Sequence, residues 1–127
     1  MKQRAFTSGR LAIEALPASI RVGPFDFGIE KLSAQRAMDK DYFGEFSPCQ
    51  GRIALQLDMP SAVKAADTLL HEAGHAIYST YGLADRDDEE RVVSTFATAW
   101  AQVFRDNPWM LEWIGRSLAS GRGRGQP

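Results

Sequence analysis

Polar and apolar residues alternate along this chain with two different periods, and the change of period near residue 60 divides it in two. In the first half Phe25, Phe27 and Ile29 alternate with Asp26, Gly28 and Glu30. A period of two predicts a strand with one buried face. Ile53, Leu55 and Leu57 alternate in the same way with Ala54, Gln56 and Asp58. Residues 42–47 and 52–58 flank Pro48-Cys49-Gln50-Gly51, which has the composition of a hairpin turn. Residues 11–16 and 19–22 also read as extended, broken at Pro17. Residues 34–41 are polar and fit either a short helix or a loop, and residues 1–10 are expected to be loose.

Beyond Pro60-Ser61, a breaker followed by a candidate N-cap, the period becomes helical. Val63, Ala66, Leu70, Ala73, Ile77 and Tyr81 form one stripe, and Gly82 supplies the residue that ends the helix. Gly74 lies inside it, where glycine costs about 1 kcal/mol relative to alanine. That cost predicts another backbone packed close to position 74. After residues 83–88 a second amphipathic helix spans 89–105, with Val93, Phe96, Trp100, Val103 and Phe104 as its buried face. The short link predicts that it packs antiparallel on the first. Asn107-Pro108 then opens a third helix, with Asn at the cap and Pro at the first position, held down by Trp109, Met110, Trp113 and Ile114. The expected fold is α+β over residues 11–118: a small antiparallel sheet packed on the first long helix, with two further helices completing the core. Residues 119–127 form a glycine-arginine tail with too little apolar content to fold.

The chain has two histidines, and both fall in the first long helix, in His71-Glu72-Ala73-Gly74-His75. Four residues are slightly more than one helical turn, so the two imidazoles share a face. Glu72 is about 100° round from His71, within reach of a water on a shared metal without being a ligand. This HExxH spacing is that of zinc metallopeptidases, in which the glutamate serves as general base. A catalytic zinc takes three protein ligands and leaves a position for water. With no other histidine and one distant cysteine, Cys49, the third ligand falls to a carboxylate. Glu89 and Glu90 open the next helix above its apolar stripe, and the helical wheel accepts either. Their other use is to favour the positive end of the helix dipole.

Composition narrows the alternatives. A chain of 127 residues is one domain, and 44% hydrophobic with 24% charged residues is ordinary globular composition. The net charge of −1 provides no field for nucleic acid, and the two tail arginines, Arg122 and Arg124, add little. A single cysteine forms no internal disulfide. No apolar run approaches a membrane span and no signal-peptide pattern opens the chain, so a cytoplasmic location is expected.

HEAGH followed by Glu90-Arg91-Val92-Val93-Ser94-Thr95-Phe96-Ala97 resembles the ImmA/IrrE-type metallopeptidases, small gluzincins whose second helix carries E-x-x-A-[ND]-x-F-A. The layout is similar to compact phage and prophage members, and the resemblance covers roughly residues 18–114. It implies a zincin-like fold and a zinc cofactor held by His71, His75 and Glu90. It also implies peptide-bond hydrolysis, with Glu72 as general base on a zinc-bound water. Val93 stands at the family's alanine, and Ser94 at the Asn/Asp that could hydrogen-bond a histidine ligand. The implied partner is a protein or peptide substrate, such as a repressor, lying extended beside a sheet edge; nucleic acid and membrane are not expected partners. An oxyanion would be steadied by an arginine or by Tyr42, Tyr78 or Tyr81. The alternative is a catalytically silent, zinc-binding regulatory or interaction module of a mobile element.

Overall fold

In the computed structural model, residues 4–33 and 43–121 are described. The expectations for residues 34–41, for Tyr42 and for Arg122 and Arg124 lie outside the described residues. The elements run α1 (Gly9–Glu14), β1 (Ser19–Val22), β2 (Phe25–Leu32), β3 (Gly44–Ser47), β4 (Arg52–Gln56), α2 (Ala62–Thr80), α3 (Glu89–Asp106) and α4 (Trp109–Ala119). The molecule is α+β, with a four-stranded sheet in the order β1-β2-β4-β3.

The sheet is mixed, which corrects the antiparallel expectation. β1–β2 and β3–β4 are antiparallel hairpins, whereas β2 and β4 pair in parallel, with Ile29 opposite Ile53 and Lys31 opposite Leu55. The alternation of Phe27, Ile29, Ile53 and Leu55 identifies a buried face without specifying the strand next to it. β4 has a neighbour on both sides and its residues 53–56 are buried throughout, while β3 is left at the edge.

Residues 11–16 form most of α1 instead of a strand. Ser8 caps that helix by accepting from the Leu11 N–H at 3.1 Å, and Ala12, Ile13 and Leu16 point into the core. Six residues reading LAIEAL satisfy either period. Phe6 is buried as well, and its N–H donates to the Arg116 carbonyl, so packing begins within the stretch expected to be loose.

α2 forms the centre of the molecule. Ser61 caps it by accepting from the Lys64 N–H at 3.0 Å. Gly82, at φ +67°, closes it with paired bonds from the Gly82 and Leu83 N–H groups to the Ser79 and Tyr78 carbonyls. Its buried stripe is Ala62, Ala65, Ala66, Leu69, Ala73, Ala76 and Ile77, small enough to let the sheet, α1 and α4 come close. Position 74 meets nothing within 4 Å, so the close approach expected there is absent.

α3 leans chiefly on β1, and the helices packed on α2 are α1 and α4. Its interior side is Ala99 and Val103, with Phe96, Trp100 and Phe104 half-buried beside the core. Val93, expected on that face, is 56% exposed. Asn107 also differs from expectation. Rather than capping α4, its buried side chain accepts from the Arg21 N–H and donates to the Arg21 and Val103 carbonyls, tying β1 to the end of α3. α4 packs through Met110 and Trp113, as its aromatic stripe predicts.

Candidate functional site

His71 and His75 lie one turn apart on the exposed side of α2. Their Nε2 atoms are 3.2 Å apart, with ring centroids at 4.8 Å and planes at 80°. Two nitrogens bound at about 2.0–2.1 Å to one tetrahedral zinc would stand about 3.3–3.4 Å apart. The separation is close to the bite of a chelate, and it is also that of a hydrogen bond between the two rings, with donor and acceptor set by the tautomer.

Glu72 occupies a different environment. It falls in register with the buried stripe and is 7% exposed. No hydrogen bond to its carboxylate is made among the described residues. Burial raises its pKa above the ordinary carboxylate value of 4.5, opposed by the adjacent His71 and His75 and reinforced by the negative charge of Glu45. Such a carboxylate holds a proton more readily than an exposed one, which is useful in a group that must accept one and release it.

The buried position of Glu72 depends on Gly44. A Cβ at position 44 would stand 2.7 Å from Thr68 Cγ2, 3.1 Å from Leu55 Cδ2 and 3.2 Å from Glu72 Cγ. Only glycine lets β3 lie this close to α2 without displacing side chains. The same contact brings the β3 edge of the sheet, unpaired among the described residues, to Glu72. The Gln56 N–H donates to the Phe43 carbonyl at 3.0 Å, so Phe43, Glu45 and Ser47 form the pairs whose main chain faces β4. Gly44 and Phe46 therefore turn their N–H and C=O outward, where another strand could pair with them. Sequence reasoning missed Gly44 and Glu45. The only signal was a small residue and a carboxylate within a short strand.

Tyr78 and Tyr81, two of the three tyrosines considered for an oxyanion, are engaged elsewhere. The Tyr78 hydroxyl donates to Asp85 at 3.2 Å, and that of Tyr81 donates to Gln102 at 2.6 Å. Desolvation and the neighbouring Asp85 raise the Tyr78 pKa above 10.0. Glu90 sits on the exposed first turn of α3, where Ser94 Oγ donates to its Oε1 at 3.2 Å, and Glu89 beside it is exposed too. Among the described residues, neither glutamate joins the histidine pair in a metal-holding group of three or more. The structure thus sets Gly44 against Glu72 beside His71 and His75, and among the described residues it gathers neither Glu89 nor Glu90 with the pair into a metal-holding group.

No helix among the described residues is long and apolar enough to cross a membrane. Comparison with protein-family models, with characterised proteins and with solved structures gives no match for the chain.

Proposed function

We propose that the protein is a zinc-dependent peptidase of the zincin-like kind, acting on an extended segment of a protein or peptide laid along β3. The observation that carries this reading is the histidine pair close to a tetrahedral bite beside a buried, proton-accepting Glu72. His71 and His75 would hold zinc, which when bound supplies a Lewis acid and acidifies a water molecule. Glu90 is the third ligand of this proposal, and completing the set requires the first turn of α3 to come to the pair. Glu72 takes a proton from the attacking water and returns it to the leaving amine. Gly44 and Phe46 hold the substrate main chain in register by adding it to the sheet edge as one more strand. The water side of the reaction lies on α2 and the substrate side on β3, joined at Gly44.

Metal analysis with paired variants tests the proposal. The purified protein should bind about one zinc per chain, and His71→Ala combined with His75→Ala should abolish binding. Glu72→Gln keeps the size of the side chain but accepts no proton, so zinc content should hold while peptide cleavage falls by about two orders of magnitude or more. Failure to bind zinc at micromolar free metal would remove the reading altogether. Zinc binding without cleavage of any peptide would make the protein a zinc-holding regulatory or interaction module instead.

A further inference from the structure

The edge that would receive a substrate carries a charge which the hydrolytic step does not use. Glu45 lies between Gly44 and Phe46 on β3 and is exposed. It has no ion pair among the described residues, whereas other charges nearby are matched. Arg52, two pairs further along the β3–β4 ladder, is taken by Glu30 and Gln50. Lys64 bridges to Asp67 at 3.6 Å and stands over the Phe43 ring at 5.2 Å.

Strand geometry fixes what Glu45 would meet. Gly44 and Phe46 offer their main chain outward, so an added antiparallel strand forms its hydrogen-bonded pairs at those two positions. The residue facing Glu45 then falls in a non-hydrogen-bonded pair, where the Cα atoms approach to about 4.5 Å and side chains touch most closely. Because the added strand runs opposite to β3, that residue comes immediately before the one facing Gly44. The residue facing Gly44 is in turn the one brought beside Glu72. Glu72 lies on the other side of the strand: a Cβ at Gly44 would stand 3.2 Å from Glu72 Cγ, and because side chains alternate along a strand, that of Glu45 projects from the face opposite α2. Glu45, exposed and without an ion pair among the described residues, disfavours an acidic residue opposite it and favours a cationic one.

We infer that Glu45 is a specificity residue: it selects lysine or arginine in the extended segment that pairs with β3, at the position just before the residue facing Gly44. What happens to that segment afterwards rests on the peptidase reading; its recognition does not. The charge of the whole chain, −1, is too small to produce such a preference, so it would be local to this strand.

Two measurements test this. In the first, the zinc-loaded protein is given a randomised peptide library and the cut sites are mapped. Lysine and arginine should be enriched at one fixed position on the N-terminal side of the site. Glu45→Gln should reduce that preference about two- to fivefold, as for an opposite-charge cross-strand pair. Glu45→Lys should transfer it to aspartate and glutamate. In the second, the Glu72→Gln protein is titrated with fluorescent peptides differing only in Lys or Glu at that position, and anisotropy is read. The Lys peptide should bind more tightly, and Glu45→Lys on that background should reverse the order. Cleavage that proceeds with no cationic preference, or with one that Glu45→Lys leaves in place, overturns the inference and spares the peptidase reading. Absence of cleavage with the charge order intact in the titration sinks the peptidase reading and spares this one. Equal binding of the two peptides overturns the inference whether or not any peptide is cut.

Discussion

Glu72 is a carboxylate that its surroundings would rather keep neutral. Burial raises its pKa, so the folded chain binds that proton more tightly than the unfolded chain does. Below the ordinary value of 4.5 the group is protonated in both states and costs nothing. As pH rises through that value and on through the raised folded one, ionisation opposes folding, and the loss is complete above the folded pKa. Chelator-treated Glu72→Gln should therefore melt higher than chelator-treated parent at neutral pH, with the gap closing toward pH 4. Melting curves across that range check it, and a variant that melts lower at neutral pH would mark Glu72 as a structural charge. The two histidine rings were legible from their spacing alone, because four residues along a helix fix a common face. The burial of Glu72 was not, since it depends on β3 arriving at Gly44 from elsewhere in the chain.

Each element owes its ends to short-range chemistry and its neighbours to packing, and the two were unequally legible. Ser61, Gly82 and the hairpin before Arg52 could be placed from single residues with known local preferences. The helix α1 could not, because six residues satisfy both periods, and the parallel β2–β4 pair could not, because no pattern within either strand names its partner. Gly74 and Gly44 show the same limit. The helical glycine suggested a close approach, yet the residue that permits one lies in the strand. Gly74→Ala should accordingly stabilise the apoprotein by about 1 kcal/mol, the ordinary helix preference for alanine. Gly44→Ala should destabilise it by about 1–3 kcal/mol, as overpacked sites do. Denaturant midpoints of the two variants decide; destabilisation by Gly74→Ala would mean that position 74 is crowded after all.

Across the described residues, α2 packs against α1, α4 and the sheet while α3 rests chiefly on β1, and that arrangement bears on the proposed zinc site. If zinc gathers Glu90, ion binding and helix placement are one process, and the ion should raise the melting temperature through mass action on the folded state. Comparing Glu89→Gln with Glu90→Gln by zinc affinity and by the melting shift assigns the ligand. The larger loss is expected for Glu90→Gln; a larger loss for Glu89→Gln transfers the role to its neighbour, and no loss for either leaves the ion on α2. The ties between the two ends of the described chain have a consequence for synthesis. The Trp113 Nε1–H donates to the Ala12 carbonyl at 2.8 Å, and the Arg116 Nε–H to the Arg4 carbonyl at 2.8 Å. These contacts close loops of about the longest kind the fold contains, which delays folding. On the ribosome, then, α1 and the histidine helix emerge well before α4 exists to cover them. Until α4 is made, a growing chain carries the apolar side of α2 uncovered, beside a core it has not yet closed.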